Sequence, residues 1–351
     1  RTKQMNSPKP NMKRPFVLTR SYFTGSSRHA AVWTGDGPTS LKDLRISLHQ
    51  ITTAMICGMP YLGADIGGFF GDPSKEFLEV WFANAVWFYP FLRLHGEINT
   101  KPRQQIVATS NVIRSCLNER YLFVPYWYTM FYELHILKTI NGVRFAYVDY
   151  PEIFGDNSDE ITLVGDSILT APAYNFDANS ESFVTKSPQI NEFMNNYVNL
   201  RKLMNKIGIA DYNEETNTKL LPLFAKKGKI IPLFTNPTKS INITRRNKMT
   251  LIIVTDQNNQ SEGNLFLDDG ETFNFEVGDC AYRQFVYNDG KLQNKDLRHK
   301  SERTLDFNEN FKDAEIGRIV VIKNENEIYV QENCNIKVVD NSEITLTLTQ
   351  P

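Results

Sequence analysis

The first 140 or so residues alternate short, largely apolar runs with segments of helical periodicity, and that alternation constrains the fold more than any other feature. "PFVLT" (15–19), "AAVWT" (30–34), "AMICGMPYLGAD" (54–65) and "YPFLRLH" (89–95) read as buried strands, apolar in runs rather than at every second position. Helical patterns lie between them. Ser40 with Asp43 three positions on marks a helix start, and Leu44, Leu48, Ile51 and Met55 form its inner face. Asp72 as cap and Pro73 as first helical residue announce a second helix over 77–88. A third, aromatic helix over 112–137 is expected to kink at Pro125. Buried strands alternating with helices are the pattern of parallel βα units. Four such strands are visible, and a closed eight-stranded barrel takes about 250 residues. Residues 1–142 therefore read as the C-terminal half of a (β/α)8 TIM barrel.

From 143 onward the chain becomes a succession of short strand-like runs punctuated by Gly, Pro, Asn and Asp, the pattern of sandwich folds. Two small all-β sandwich domains are expected, 143–237 and 238–351, with residues 175–220 as an irregular insertion rich in Asn, Glu and Lys. The polar opening "RTKQMNSPKPNMKRP" lacks the charged-then-apolar pattern of a signal peptide and reads like a loop cut from something longer.

Composition narrows the functional classes. With 39 basic and 40 acidic residues the net charge is −1, which gives no electrostatic case for nucleic acid or an acidic membrane surface. No uninterrupted apolar stretch is long enough to span a bilayer, so no membrane insertion is expected. Cys57, Cys116, Cys280 and Cys334 form no metal-ligand or C-x-x-C spacing, so neither a metal nor a redox cofactor is expected. Asn242-Ile-Thr and Asn259-Gln-Ser would permit glycosylation in a secretory compartment.

In a parallel barrel the C-terminal ends of the strands meet around one pocket, and here those ends hold Arg20, Asp36, Asp65 and His95. Any one of them alone is an ordinary wetted strand end. Four in succession, with Trp33 and Phe69 beside them, mark a polar pocket with aromatic walls. Such a pocket suits a sugar: carboxylates and an imidazole meet hydroxyls, and flat rings cover the apolar C–H faces. Glycoside hydrolysis uses two carboxyl groups, and Asp36 and Asp65 are the available pair. The two could equally divide into one catalyst and one hydroxyl binder, and their spacing leaves that open.

From "RPFVLTRSYFTGSSRHAAVWTGD" through "LGADIGGFFGDPSKEFLEVWF", "PFLRLHGEINTKPR" and "RYLFVPYWYTMFYELH" to "LVGDSILTAP" and "LFLDDGETFNF", the chain resembles glycoside hydrolase family 31, and within it the neutral α-glucosidases of the endoplasmic reticulum. The resemblance implies a retaining α-glucosidase that removes terminal α-linked glucose from oligosaccharides or N-glycans, without a cofactor. It also implies a location in the endoplasmic reticulum lumen, with a lysosomal or secreted relative as the alternative, and a separate regulatory β subunit as partner. By the same resemblance Asp36 would be the general acid and then the base, and Arg20 would hydrogen-bond the sugar near it. Asp65 and His95 would grip hydroxyls of the terminal glucose, and Trp33 and Phe69 would form its ring wall. The family's nucleophile lies in an aromatic-x-D-x-N-E motif on an earlier barrel strand, and residues 1–351 contain no such motif. The polypeptide by itself is accordingly expected to be inactive and poorly folded, because half a barrel leaves open strand edges and an uncovered core. A catalytically dead carbohydrate-binding relative, or a truncated gene product, is the alternative expectation.

The sequence also departs from the group's usual pattern. Gly37 follows Asp36 where Asn is usual, "LHGEINTKPRQQI" lacks a second His, and Lys226 and Lys227 replace an Arg-Gly-Gly pattern. "LFLDDGETF" (265–273) reads as a β-turn through Asp269-Gly270 rather than a calcium loop, because Leu265 and Leu267 fall where oxygen ligands are needed. The aromatic cluster at 121–132 reads as core. His29, His49, His135 and His299 carry no partner pattern, and 295–303 reads as a solvated charge run.

Overall fold

The structure is a computed structural model that describes residues 12–97, 101–155, 159, 161–173, 175–177, 182–184, 191–210, 212, 218–238, 240–298, 311 and 313–350. The opening segment to residue 11, His299, and residues 178–181, 185–190, 211 and 213–217 of the expected 175–220 insertion fall outside that set; the described part of that insertion is regular rather than irregular, with a helix at Leu200–Lys206 that buries Leu200, Leu203 and Met204.

Strands β1 (Leu18–Thr19), β2 (Ala31–Trp33) and β3 (Leu62–Gly63) form a parallel sheet, Leu18 opposite Ala31 and Val32 opposite Leu62. After Ala64 the same extended segment resumes as β4 (Asp65–Ile66), which pairs in parallel with β5 (Arg93–Leu94). Four successive parallel segments with helices between them are the half-barrel expected. The strands are far shorter than their apolar runs. Residues 54–56 of the run at 54–65 belong to helix α1 (Leu41–Ile56), and pairing begins only at Leu62, because the chain turns at Cys57-Gly58, where Gly58 takes a positive φ.

Helix α1 begins as its sequence indicates, the Ser40 side chain accepting from Asp43 N at 3.0 Å. Leu44, Leu48, Ile51 and Met55 are all buried, and each fully buried leucine contributes about 2 kcal/mol. Helix α2 (Lys75–Phe88) starts two residues later than Asp72-Pro73 suggests: Ser74 is the cap, accepting from Phe77 N, while Asp72 faces Arg103 instead. From Trp81 to Phe88 every residue of α2 is buried, as befits a helix covered on all sides. A helix absent from the sequence expectation, α3 (Lys101–Thr109), follows β5. The long aromatic helix is two, α4 (Asn111–Leu122) and α5 (Val124–Leu137), divided at Phe123; Pro125 lies in the first turn of α5, where its missing N–H costs nothing. Phe123, Tyr126, Trp127 and Met130 are buried, as a core cluster should be.

Beyond α5 the sheets are mainly antiparallel. A five-stranded sheet is built from β6 (Val143–Phe145), β7 (Thr162–Val164), β8 (Ile168–Thr170) and two later strands; a separate hairpin, β9 (Asn175–Asp177) with β10 (Ser182–Val184), lies between β8 and those strands in sequence. The later strands are β11 (Tyr197–Asn199) and β12 (Leu223–Lys226), and the spatial order is β11-β12-β8-β7-β6. The chain then enters an eight-stranded sheet through β13 (Lys229–Phe234), N-terminal to the domain division expected near 238. Its other strands are β14 (Met249–Val254), β15 (Gln260–Leu267), β16 (Ala281–Asn288), β17 (Lys291–Asp296), β18 (Glu315–Ile322), β19 (Ile328–Lys337) and β20 (Ser342–Thr345). The spatial order is β19-β18-β14-β13-β15-β16-β17-β20, and a bridge from Val330 to Thr349 brings its two edges together around a core that includes Leu251, Phe285 and Val321.

Two buried contacts lock these sheets to the helices. Asn84 of α2 donates to Ala173 O at 2.8 Å and accepts from Ala173 N at 2.9 Å. Glu119 of α4 accepts from Trp87 Nε1, from Arg201 and from the Tyr212 hydroxyl, so its buried charge is fully partnered. The turn in "LFLDDGETF" is also as expected. Asp269 accepts from Glu271 N, Thr272 N and the Thr272 hydroxyl, and Gly270 takes φ +72°. That turn holds the segment leading into β1: Lys13 bridges Thr272, Arg14 N donates to Glu271 O at 2.7 Å, and the Arg14 guanidinium reaches Asp268 at 3.1 Å.

Candidate active site

Strand β2 delivers Trp33 and then turns through Gly35, whose φ of +82° an L side chain rarely adopts. A Cβ there would also lie 3.0 Å from Arg20 Nε, so glycine lets the Arg20 guanidinium lie alongside the loop. Arg20 Nη1 approaches Asp36 Oδ2 at 3.4 Å, and the Asp36 side chain is 28 % exposed, open to a ligand.

Asp65 opens β4 and is directly opposite Arg93 of β5 in register. Both Nε and Nη2 of Arg93 bond to the same Asp65 oxygen, Oδ1, at 3.2 and 2.7 Å. The second oxygen, Oδ2, is buried and has no protein donor, and the buried Trp33 Nε1 has no protein acceptor. A carboxylate oxygen held out of water without a donor is an acceptor in wait of a hydroxyl. The Arg93 guanidinium also lies over the Trp33 ring, 5.1 Å from its centroid, so Trp33, Arg93 and Asp65 form one stacked unit. Arg93 is a member of the site that strand-end reasoning missed. Its signal in the sequence was a charged residue inside the apolar run "YPFLRLH", which calls for a partner without naming it.

Asp36 and Asp65 line one cavity of about 200 Å³, together with Thr34, Gly35, Asp43 and Trp81. Asp43 is a third carboxyl in this wall; burial pushes its pKa up, only partly opposed by Lys42, and its Oδ2 has no donor. Arg20, Trp33, Phe69 and His95 do not line that cavity. Arg20 joins it through Asp36 and Trp33 through Arg93. Phe69 and His95 pair with each other, ring centroids 5.3 Å apart, and the Phe69 loop is fastened beside the acid, Phe69 N donating to Gly37 O at 2.6 Å. Gly68, at φ +79°, permits that closeness: a Cβ would lie 2.6 Å from Thr39 N. The six residues singled out in the sequence thus lie on neighbouring strand ends and loops, Trp33 and Asp65 on strands β2 and β4 and the other four in the loops beside them.

Asp211-Tyr212-Asn213-Glu214 repeats the letters D-x-N-E, with Ile209 in place of the aromatic residue. Tyr212 is buried with Glu119 and Arg201 rather than at a barrel strand end, and Asp211, Asn213 and Glu214 lie outside the described residues. Among the described residues no group of three or more His, Cys, Asp or Glu could hold a metal ion, and no helix is long and apolar enough to cross a membrane.

Residues 1–130 match the glycosyl hydrolases family 31 TIM-barrel domain. The chain is 29 % identical over 340 residues to the glucosidase 2 subunit alpha of Saccharomyces cerevisiae, covering 95 % of this chain and 35 % of that one. It is 31 % identical over 286 residues to the neutral alpha-glucosidase AB of Homo sapiens, covering 80 % of this chain and 30 % of that one. It therefore spans about a third of the length of these relatives. In structure it superposes on the endoplasmic reticulum glucosidase II complex of catalytic subunit and regulatory-subunit binding domain with a TM-score of 0.74 at 24 % identity, over 96 % of this chain and 40 % of that one. The family 31 alpha-glucosidase from Bacteroides thetaiotaomicron gives 0.63 at 26 % identity, over 85 % and 46 %. Residues 1–130 thus match the family 31 TIM-barrel domain, and the chain is homologous to the glucosidase II α and neutral α-glucosidase AB polypeptides over about a third of their length.

Proposed function

We propose that this chain carries the acid-bearing part of a retaining α-glucosidase that removes terminal, non-reducing α-linked glucose from oligosaccharides or N-glycans. The observation that carries this reading is the arrangement of Asp36 and Asp65 on one cavity, one partly open beside Arg20 and the other buried, held by Arg93 and offering one free oxygen. Asp36 is placed to protonate the glycosidic oxygen and later to take a proton from water. Asp65 is held through one oxygen by Arg93, and its free Oδ2 accepts a sugar hydroxyl. His95 grips a further hydroxyl, while Trp33 and Phe69 face the ring. The relatives support a luminal setting in the endoplasmic reticulum and a regulatory subunit as partner.

The covalent step needs a second carboxylate at the anomeric carbon. No aromatic-x-D-x-N-E motif occurs in residues 1–351, so on this reading hydrolysis requires a nucleophile from outside them. Pure residues 1–351 should release no glucose, and assembly with a nucleophile-bearing barrel segment should restore release. In the assembled enzyme Asp36→Asn should abolish cleavage of substrates with poor leaving groups yet largely spare those with activated ones, which need little protonation. Equal loss on both would remove Asp36 from the acid role. Ligand binding without turnover in the assembled protein would make it a carbohydrate-binding relative.

A further inference from the structure

Arg103 stands on α3 and is 1 % exposed, yet its one carboxylate contact among the described residues is loose: Nε lies 3.4 Å from Asp72 Oδ1, on a side chain 66 % exposed. Its other donors go to main-chain carbonyls. Nη1 donates to Gly68 O at 2.5 Å and to His95 O at 2.7 Å, and Nη2 donates to Gly71 O. Taking a guanidinium out of water is costly, and here that cost is offset by carbonyls from two different loops. The loops close tightly on it. A Cβ at Gly96 would lie 3.1 Å from Cζ, and one at Gly67 3.3 Å from Nη1. One loop carries Phe69 and the other His95, and a further bond, Glu97 N to Phe69 O at 3.0 Å, runs directly between them.

We propose that Arg103 is a positioning residue for the pocket: it fixes the Gly67–Gly71 loop and the His95–Gly96 loop to one rigid fork, and so sets the Phe69 ring against the His95 imidazole beside Asp36. The clamp itself stands on geometry alone; what the Phe69–His95 pair contacts rests on the sugar-processing reading. A lysine cannot replace the fork, because a compact ammonium cannot address three carbonyls and Asp72 from one plane.

The test uses amide hydrogen exchange on the full chain and kinetics on the assembled enzyme, with Arg103→Lys and Arg103→Ala. Exchange at Gly67–Gly71 and His95–Glu97 should rise at least about tenfold while the eight-stranded sheet keeps its protection. Added guanidinium ion should restore protection to Arg103→Ala but not to Arg103→Lys. With 4-nitrophenyl α-glucoside, KM should rise about tenfold or more with a much smaller fall in kcat, and the pH profile should not move. Unchanged exchange at the two loops, or a rise spread evenly over the chain, would overturn the clamp. Hydrolysis absent even from the unsubstituted assembled enzyme would remove the sugar-processing reading, and exchange would then decide the clamp by itself.

Discussion

Asp65 meets Arg93 with one of its two oxygens, and that asymmetry decides what each residue can do. The Asp65 side chain is 2 % exposed and that of Arg93 30 %. Removing the cation would leave a buried carboxylate uncompensated, whereas removing the carboxylate leaves a cation that can turn to solvent. Arg93→Met should therefore cost about 3 kcal/mol in urea unfolding of the full chain, and Asp65→Asn distinctly less. The double variant should recover most of the loss; a cost below about 1 kcal/mol for Arg93→Met would class the pair with ordinary surface bridges. In the assembled enzyme Asp65→Asn should weaken binding and turnover together, because hydroxyl contacts tighten in the transition state. Strand-end position revealed Asp36 and Asp65 in the sequence. The identity of the partner depended on register, which two-residue strands do not display.

At the level of elements, helix α1 was legible because its buried face recurs at helical spacing over several turns, whereas α2 was announced by its start signals and α5 was read only as part of one long aromatic helix. The strands were legible only as runs: "AMICGMPYLGAD" mixes the end of a helix, a turn and a broken strand, all buried, and burial alone has no period. Helix α3 escaped because "KPRQQIVAT" buries little beyond Arg103, so no apolar stripe announces it. Loops tell a similar story. Gly68 and Gly25 look alike in sequence and both have positive φ, but a Cβ at Gly68 would strike the Pro38–Thr39 backbone and one at Gly25 meets nothing within 4 Å. Gly25→Ala should cost about 1 kcal/mol, the backbone term alone. Gly68→Ala should exceed about 3 kcal/mol and displace Phe69 from Gly37, read by chemical denaturation and by loss of ligand binding.

For the molecule as a whole, the eight-stranded sheet supplies a pH-dependent part of stability. Burial raises the Asp296 pKa, but the hydrogen bonds from Arg298, and the charges of Arg298 and Arg283, outweigh it and hold the carboxyl below its usual range. A depressed carboxylate contributes stability above its unfolded pKa and loses it as pH falls through the folded value. Asp296→Asn should lower the melting temperature at neutral pH, and the gap to the unsubstituted chain should narrow below about pH 4. A constant gap down to pH 2 would mean that the ionised form is not the one stabilised.

The docking of residues 12–14 on the turn at 268–273 joins two parts of the chain about 255 residues apart. Closing so long a loop is slow, and the contact rewards nothing until both ends exist. During synthesis β1 would therefore be made early yet remain without its anchor until the distal sheet had left the ribosome. Within this chain the parallel strands are thus made before the sheet that secures them, and their edges must be shielded over that interval.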